Sequence, residues 1–215
     1  MSSIIDVSYN NCYKTPINWA KVAATGVTDV IVRLSLGYAD IDKTAIANAK
    51  GAAAAGLAVS YYHFAYPDTK TGGTLQSDAE NEATWFFNSI ANNHLPDPKW
   101  LAADFETWDV TAGKDSPLNP ADYLLWMQYF YNKINTLSGL PCMVYASAGY
   151  LNAHLPAGHN LGNNPLWVAN YTDKPSPAIP HGWDTWFLWQ YGDAPVDGVT
   201  DNHCDQNRPN PAAGA

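Results

Sequence analysis

Basic side chains are scarce in this chain. Its 215 residues hold 11 Lys and Arg against 20 Asp and Glu, a formal net charge of -9. No basic face can be built from so few cations, so nucleic acid is excluded as a partner. Cysteine is scarcer still, with only Cys12, Cys142 and Cys204. An odd, sparse set without a Cys-x-x-Cys pair makes neither a disulfide framework nor a zinc site, and no metal is expected. No apolar run reaches the ~20 residues that a membrane-crossing helix needs. The start, Met1-Ser2-Ser3-Ile4-Ile5-Asp6, lacks a basic segment ahead of an apolar one. No signal peptide is read there, which implies release by a phage-type route or a leader preceding this sequence. No internal repeat is visible.

What is present is apolar and aromatic. Apolar residues make up 47% and charged residues 14%, the composition of one globular domain. Nine Trp and 13 Tyr exceed ordinary usage. Most such rings pack cores, but flat rings also stack on pyranose faces. Carboxylates among many aromatics fit a neutral or amide-bearing carbohydrate better than a phosphorylated ligand.

Short β-branched segments alternate with helix-like ones. Strands are predicted at 4–7, 30–34, 57–64, 100–105, 143–145, 166–171, 185–191 and near 203–205. Helices are predicted over 17–24 before Gly26, and from an Asp42 cap to Ala55 before Gly56. A third starts at a Ser77/Glu80 capping box, and a fourth runs from Asn119-Pro120 to about Leu137 before Gly139. Alternation of this kind implies a parallel sheet with right-handed crossovers. The expected fold is α/β, an irregular TIM-like (β/α) barrel of eight strands and about five main helices. It is shortened where the last strands lack helices between them. Residues 208–215 read as a Pro/Ala-rich tail.

Sites in such barrels lie at the C-terminal strand ends. The polar residues there are Asp6, Arg33, Tyr62, His63, Asp104, Glu106, Tyr145, Asn170, Tyr171, Gln190 and Asp205. Four carboxylates on one face form a more specific pattern than any of them singly. Asp104 and Glu106 stand two apart on a strand, so both point one way, roughly 6.6–6.8 Å apart at Cα. Neighbouring carboxylates oppose each other's ionisation and one pKa rises. Glycoside hydrolysis needs that split between a protonated acid and an ionised partner. Glu106, nearer the tip, is assigned as acid/base. For Asp104 three roles stay open: nucleophile of a retaining enzyme, base of an inverting one, or support for a substrate acetamido group. Asp6 alternatively pairs with Arg33, Asp205 reads alternatively as a surface carboxylate, and His63 as a hydrogen-bonded wall residue. Cys12 follows the first strand and Cys204 sits in the last, and closure makes those strands neighbours. A disulfide there is the alternative to two ordinary thiols.

Several motifs, in order, resemble one family. They are Ile5-Asp6-Val7-Ser8, Tyr38-Ala39-Asp40, Ala55-Gly56-Leu57, Tyr62-His63-Phe64-Ala65 and Ala79-Glu80-Asn81-Glu82-Ala83. They continue with Asp104-Phe105-Glu106, Trp186-Phe187-Leu188-Trp189-Gln190-Tyr191, Gly198-Val199 and Asp205-Gln206-Asn207. The chain resembles the family 25 glycoside hydrolases, the Chalaropsis-type lysozymes, over about residues 4–207. The resemblance implies a catalytic domain at 1–207 that cleaves the β-1,4 bond between N-acetylmuramic acid and N-acetylglucosamine in peptidoglycan glycan strands. It implies Glu106 as proton donor, Asp104 as its partner and Asp6 and Asp205 as further acidic site positions. Trp189 joins the expected sugar-binding residues. No cofactor is implied, and a monomer acting outside the cell is expected. Asn10-Asn11 stand where the family often has Gln, and Asp201-Asn202-His203-Cys204 is atypical, which leaves the outer subsites open. The net charge offers no long-range attraction to an anionic wall. A chitin-type glycosidase and a non-catalytic wall-binding lectin are the competing readings. Leu101-Ala102-Ala103 ahead of the acid pair counts against the first and the presence of Glu106 against the second.

Overall fold

The computed structural model describes residues 3–108, 113–201 and 203–212. Asn202, Met1, Ser2 and residues 213–215, which entered the readings above, lie outside the described residues. Strand β1 (Ser3–Val7) leads to α1 (Trp19–Ala24), β2 (Val27–Leu36), β3 (Asp40–Ile41) and α2 (Ala45–Ala54). Then come β4 (Ala58–Phe64), α3 (Leu75–Asn92), β5 (Leu101–Asp104), α4 (Pro120–Ser138), β6 (Cys142–Ser147) and α5 (Ala148–His154). The chain closes with β7 (Leu166–Ala169), β8 (Leu188–Ala194) and β9 (Cys204–Pro209). Pairing runs β1-β9-β8-β7-β6-β5-β4-β2, and β1 also pairs with β2, so eight strands close into a barrel. The two-residue β3 is an appendage on β2 that the sequence pattern did not mark.

The sheet is mixed, not wholly parallel. Strand β9 runs antiparallel to both β8 and β1. The cause is local: a parallel return needs a crossover of about a dozen residues or more, which residues 170–187 supply between β7 and β8, whereas residues 195–203 between β8 and β9 are too few. Strand β9 continues to Pro209, so Arg208 and Pro209 belong to the barrel and not to a tail. The Arg208 guanidinium lies 3.8 Å from the Trp189 ring centroid, a cation–π contact that fixes this edge.

Helix ends follow local chemistry. In α4, Asn119 Oδ1 accepts from the Ala121 and Asp122 N–H groups, Pro120 sits at the first turn, and Gly139 closes with φ 66. The start of α3 differs from expectation. Thr74 is the cap, with Ser77 returning the bond to its backbone, and Glu80 instead takes the Gln76 amide. Gly72-Gly73 break the chain just ahead, so the helix begins at the first available hydroxyl. Asp42 also caps no helix. Thr44 stands at that position without a side-chain cap bond.

Two apolar layers result. Between barrel and helices, Trp126, Phe130, Phe86, Tyr61 and Phe105 are fully buried, each worth about 1.5–3 kcal/mol on transfer from water. Inside the barrel, Ile4, Ile31, Tyr62, Ala102, Met143, Trp167 and Leu188 form a plug, one residue from each of seven strands. All three cysteines are buried thiols, so Cys12 and Cys204 do not pair. Among the described residues no helix is long and apolar enough to cross a membrane.

Candidate active site

The plug determines what lies above it. Side chains alternate along a strand, so the next inward position is two residues on. On β1, β2, β4, β5, β6 and β8 those positions are Asp6, Arg33, Phe64, Asp104, Tyr145 and Gln190. Strand β9 runs the other way and offers Asp205. Together with Glu106, Tyr62, Trp167 and Tyr171 they line a cavity of about 370 Å³ at the C-terminal strand ends. The turn after β1 adds Ser8 and Asn10. Ser8, Asn10, Phe64 and Trp167 were not among the expected site residues. Phe64 and Trp167 follow from the parity of their strands once the plug is known; Ser8 was quoted only within a family motif and Asn10 only as a departure from the family pattern.

Asp104 ends β5 and is buried, and its Oδ1 has no hydrogen-bond partner among the described residues. Burial, then the charges of Glu106 and Asp6, hold its carboxyl well above the ordinary range, against the pull of Arg33. Phe105 faces away into the helix layer, against Tyr123, Trp126 and Tyr131. That contact locks the parity that turns Asp104 and Glu106 to the same side. Glu106 stands at the solvent-exposed rim. The surrounding walls nevertheless remove enough water to raise its pKa, opposed by Arg33.

Asp6 is buried, and its Oδ2 accepts both the Asn207 amide at 2.7 Å and the Gln190 amide at 3.1 Å. Burial and the Asp205 charge push its pKa up to about 7. Tyr171 donates to Asp205, which still titrates higher than usual, chiefly through burial. Tyr145 donates to Gln190 at 2.9 Å, and burial keeps the Tyr145 and Tyr62 phenols neutral.

Arg33 does not pair with Asp6. Its Nε and a terminal nitrogen both lie 2.8 Å from Asp42 Oδ2, which also accepts the Tyr9 N–H at 2.9 Å. Asp42 Oδ1 takes the Thr44 N–H and hydroxyl. Asp42 therefore clamps the cavity's one cation among the described lining residues and ties it to the Ser8–Asn10 turn.

Three expected sugar contacts lie elsewhere. His63 occupies the outward position beside Tyr62, fully buried between Phe86 and Phe130, with ring centroids 5.4 and 5.6 Å away. It bonds Ser35 through Nδ1 and Glu82 through Nε2, both at 2.9 Å. Trp189 faces outward beside Gln190, fully buried, and donates to the Asn170 carbonyl at 2.8 Å. The Asn170 side chain accepts from the Ala178 N–H and shapes the loop after β7. Replacing His63 by Ala leaves the buried Glu82 with only the Tyr66 N–H at 3.1 Å among the described residues, so we expect a stability loss of about 2–4 kcal/mol. Denaturant unfolding measures it, and the KM of the folded fraction should not change.

Among the described residues no His, Cys, Asp or Glu cluster has the arrangement of a metal site. The chemistry these side chains offer is proton transfer and charge stabilisation at an acidic, aromatic-walled cleft. The chain is 27% identical over 212 residues to "Lysozyme M1" of Streptomyces globisporus, covering 97% of this chain and 68% of that protein. It is 24% identical over 196 residues to "N,O-diacetylmuramidase" of Chalaropsis sp, covering 88% and 89%. The bacterial lysozyme from Streptomyces coelicolor shares the fold at a TM-score of 0.76 and 23% identity, over 97% of this chain and 92% of that one. The description "Glycosyl hydrolases family 25" matches residues 5–199, and the chain belongs to that family of glycoside hydrolases.

Proposed function

We propose that this glycoside hydrolase is a muramidase that cuts bacterial peptidoglycan between N-acetylmuramic acid and N-acetylglucosamine. The observation that carries the mechanism is Glu106 at the rim above a buried Asp104, whose Oδ1 has no partner among the described residues, in a carboxylate-lined barrel mouth. The curated relatives named as a lysozyme and a diacetylmuramidase support the substrate. Glu106, its pKa raised, keeps a proton to give to the leaving glycosidic oxygen. The Asp104 carboxyl lines the cavity beside Glu106 and supports positive charge as it develops at the sugar, directly or through the acetamido group. Arg33, Tyr62, Tyr145, Tyr171 and Gln190 hold the saccharide, with Asp6 and Asp205 on the opposite wall. The enzyme works on the wall outside the cytoplasmic membrane. Reducing-sugar release from purified walls and from chitin tests the substrate. Release from walls well above that from chitin is expected, and release from chitin alone would return the chitin reading.

A further inference from the structure

Asp6 and Asp205 sit directly opposite each other across the antiparallel β1–β9 pair. Directly opposed residues hold their Cβ atoms about 4.5–5.5 Å apart, and two like charges there repel. Both side chains line one cavity with Asp104 and Glu106, and Arg33 is engaged with Asp42. Four carboxylates facing one committed cation do not all ionise.

Burial distinguishes the members of the pair. Asp205 accepts the Tyr171 hydroxyl, which favours its charged form. Asp6 receives two amide donors, both on Oδ2, which also favour its charged form, but its deeper burial and the Asp205 charge outweigh them. Each donor is itself oriented: Asn207 by the Trp167 indole at 2.7 Å, and Gln190 by the Tyr145 hydroxyl at 2.9 Å. With Oδ2 serving as acceptor twice over, a proton on Asp6 resides on Oδ1.

Building on the muramidase reading, we infer that Asp6 works as a neutral carboxylic acid whose Oδ1 hydrogen is donated to an acceptor oxygen of the bound saccharide. The acid site is then divided: Glu106 gives up a proton, whereas Asp6 keeps its own and only points it. A low-dielectric pocket can hold a carboxyl in this state for hydrogen bonding. Its surroundings agree. The Asp205 charge, and more weakly that of Glu106, opposes ionisation of Asp6. The Tyr62, Tyr145 and Tyr171 phenols add no positive charge, and the Arg33 charge is shared with Asp42.

Two measurements decide the matter. Carboxyl 13C NMR of Asp-labelled protein, with the Asp6 signal identified by its loss in Asp6→Asn, should show titration near pH 7. Titration near the ordinary aspartate value of about 3.9 overturns the inference. Wall digestion then compares Asp6→Asn with Asp6→Leu. Asn presents an oxygen to the two amides and an N–H to the cavity, so activity within about tenfold of the parent is expected. Leu offers neither, and a loss of about 10²–10³-fold is expected. An Asp6→Asn protein that is folded yet as inactive as Asp6→Leu shows that the anion is needed and overturns the inference. A parent that releases no sugar ends from walls defeats the muramidase reading instead, and the carboxyl titration still judges Asp6.

Discussion

Replacing Glu106 by Gln should lower turnover by about 10²–10⁴-fold, the usual contribution of a positioned general acid. The expected loss is in kcat, because Gln keeps the length and the hydrogen-bonding atoms of the side chain but has no proton of comparable acidity to give. Glu106 lies at the exposed rim and takes no part in the plug beneath, so the melting temperature should change little. The pH profile of the parent enzyme carries a related expectation. The Glu106 pKa is raised, so its acid form persists to higher pH than for an ordinary glutamate, and the alkaline limb of kcat/KM should fall above the usual carboxylate range. Steady-state kinetics on solubilised glycan across pH checks both statements. A Gln variant that keeps its rate would remove Glu106 from the mechanism.

Asp104→Asn should trade activity for stability. The folded protein holds the Asp104 proton far above the ordinary range because of burial and the charges of Glu106 and Asp6. The sign follows from linkage: between the ordinary value of 3.8 and the raised one, the folded state binds the proton that the unfolded chain has released. Stability is therefore lost as pH rises through that window. An amide carries no such penalty. Thermal unfolding should show the variant melting at a higher temperature than the parent at pH 7. At pH 3, where both states hold the proton, the gain should disappear. Turnover should fall by about 10²–10³-fold, as for other groups aimed at developing charge. Equal melting temperatures at pH 7 would mean that Asp104 is better solvated than its burial implies.

Much of this site was legible in the sequence. Asp-x-Glu at the end of an apolar segment placed both carboxylates on one face, and strand order brought Asp6 and Asp205 to meet them. The errors came from parity. Tyr62 and His63 are adjacent on β4, and Gln190 and Trp189 on β8, so only one of each pair can look inward. Either register satisfies the apolar pattern, because these strands are buried on both faces. Choosing between registers required the plug residues. Asp42 was misread as a cap because an aspartate ahead of a helical segment has that local signal. Its partnership with Arg33 arises only because the short β3 folds back on β2. The antiparallel β9 was hidden for the opposite reason. No helix marks its direction, and its register with β1 follows from barrel closure.

Identifying the sugar at the new reducing end tests the account most directly. Purified peptidoglycan is digested, the products are reduced with borohydride, and the reduced sugar is identified by mass spectrometry. The account predicts reduced N-acetylmuramic acid from the parent enzyme and none above background from Glu106→Gln. Reduced N-acetylglucosamine from the parent would contradict it.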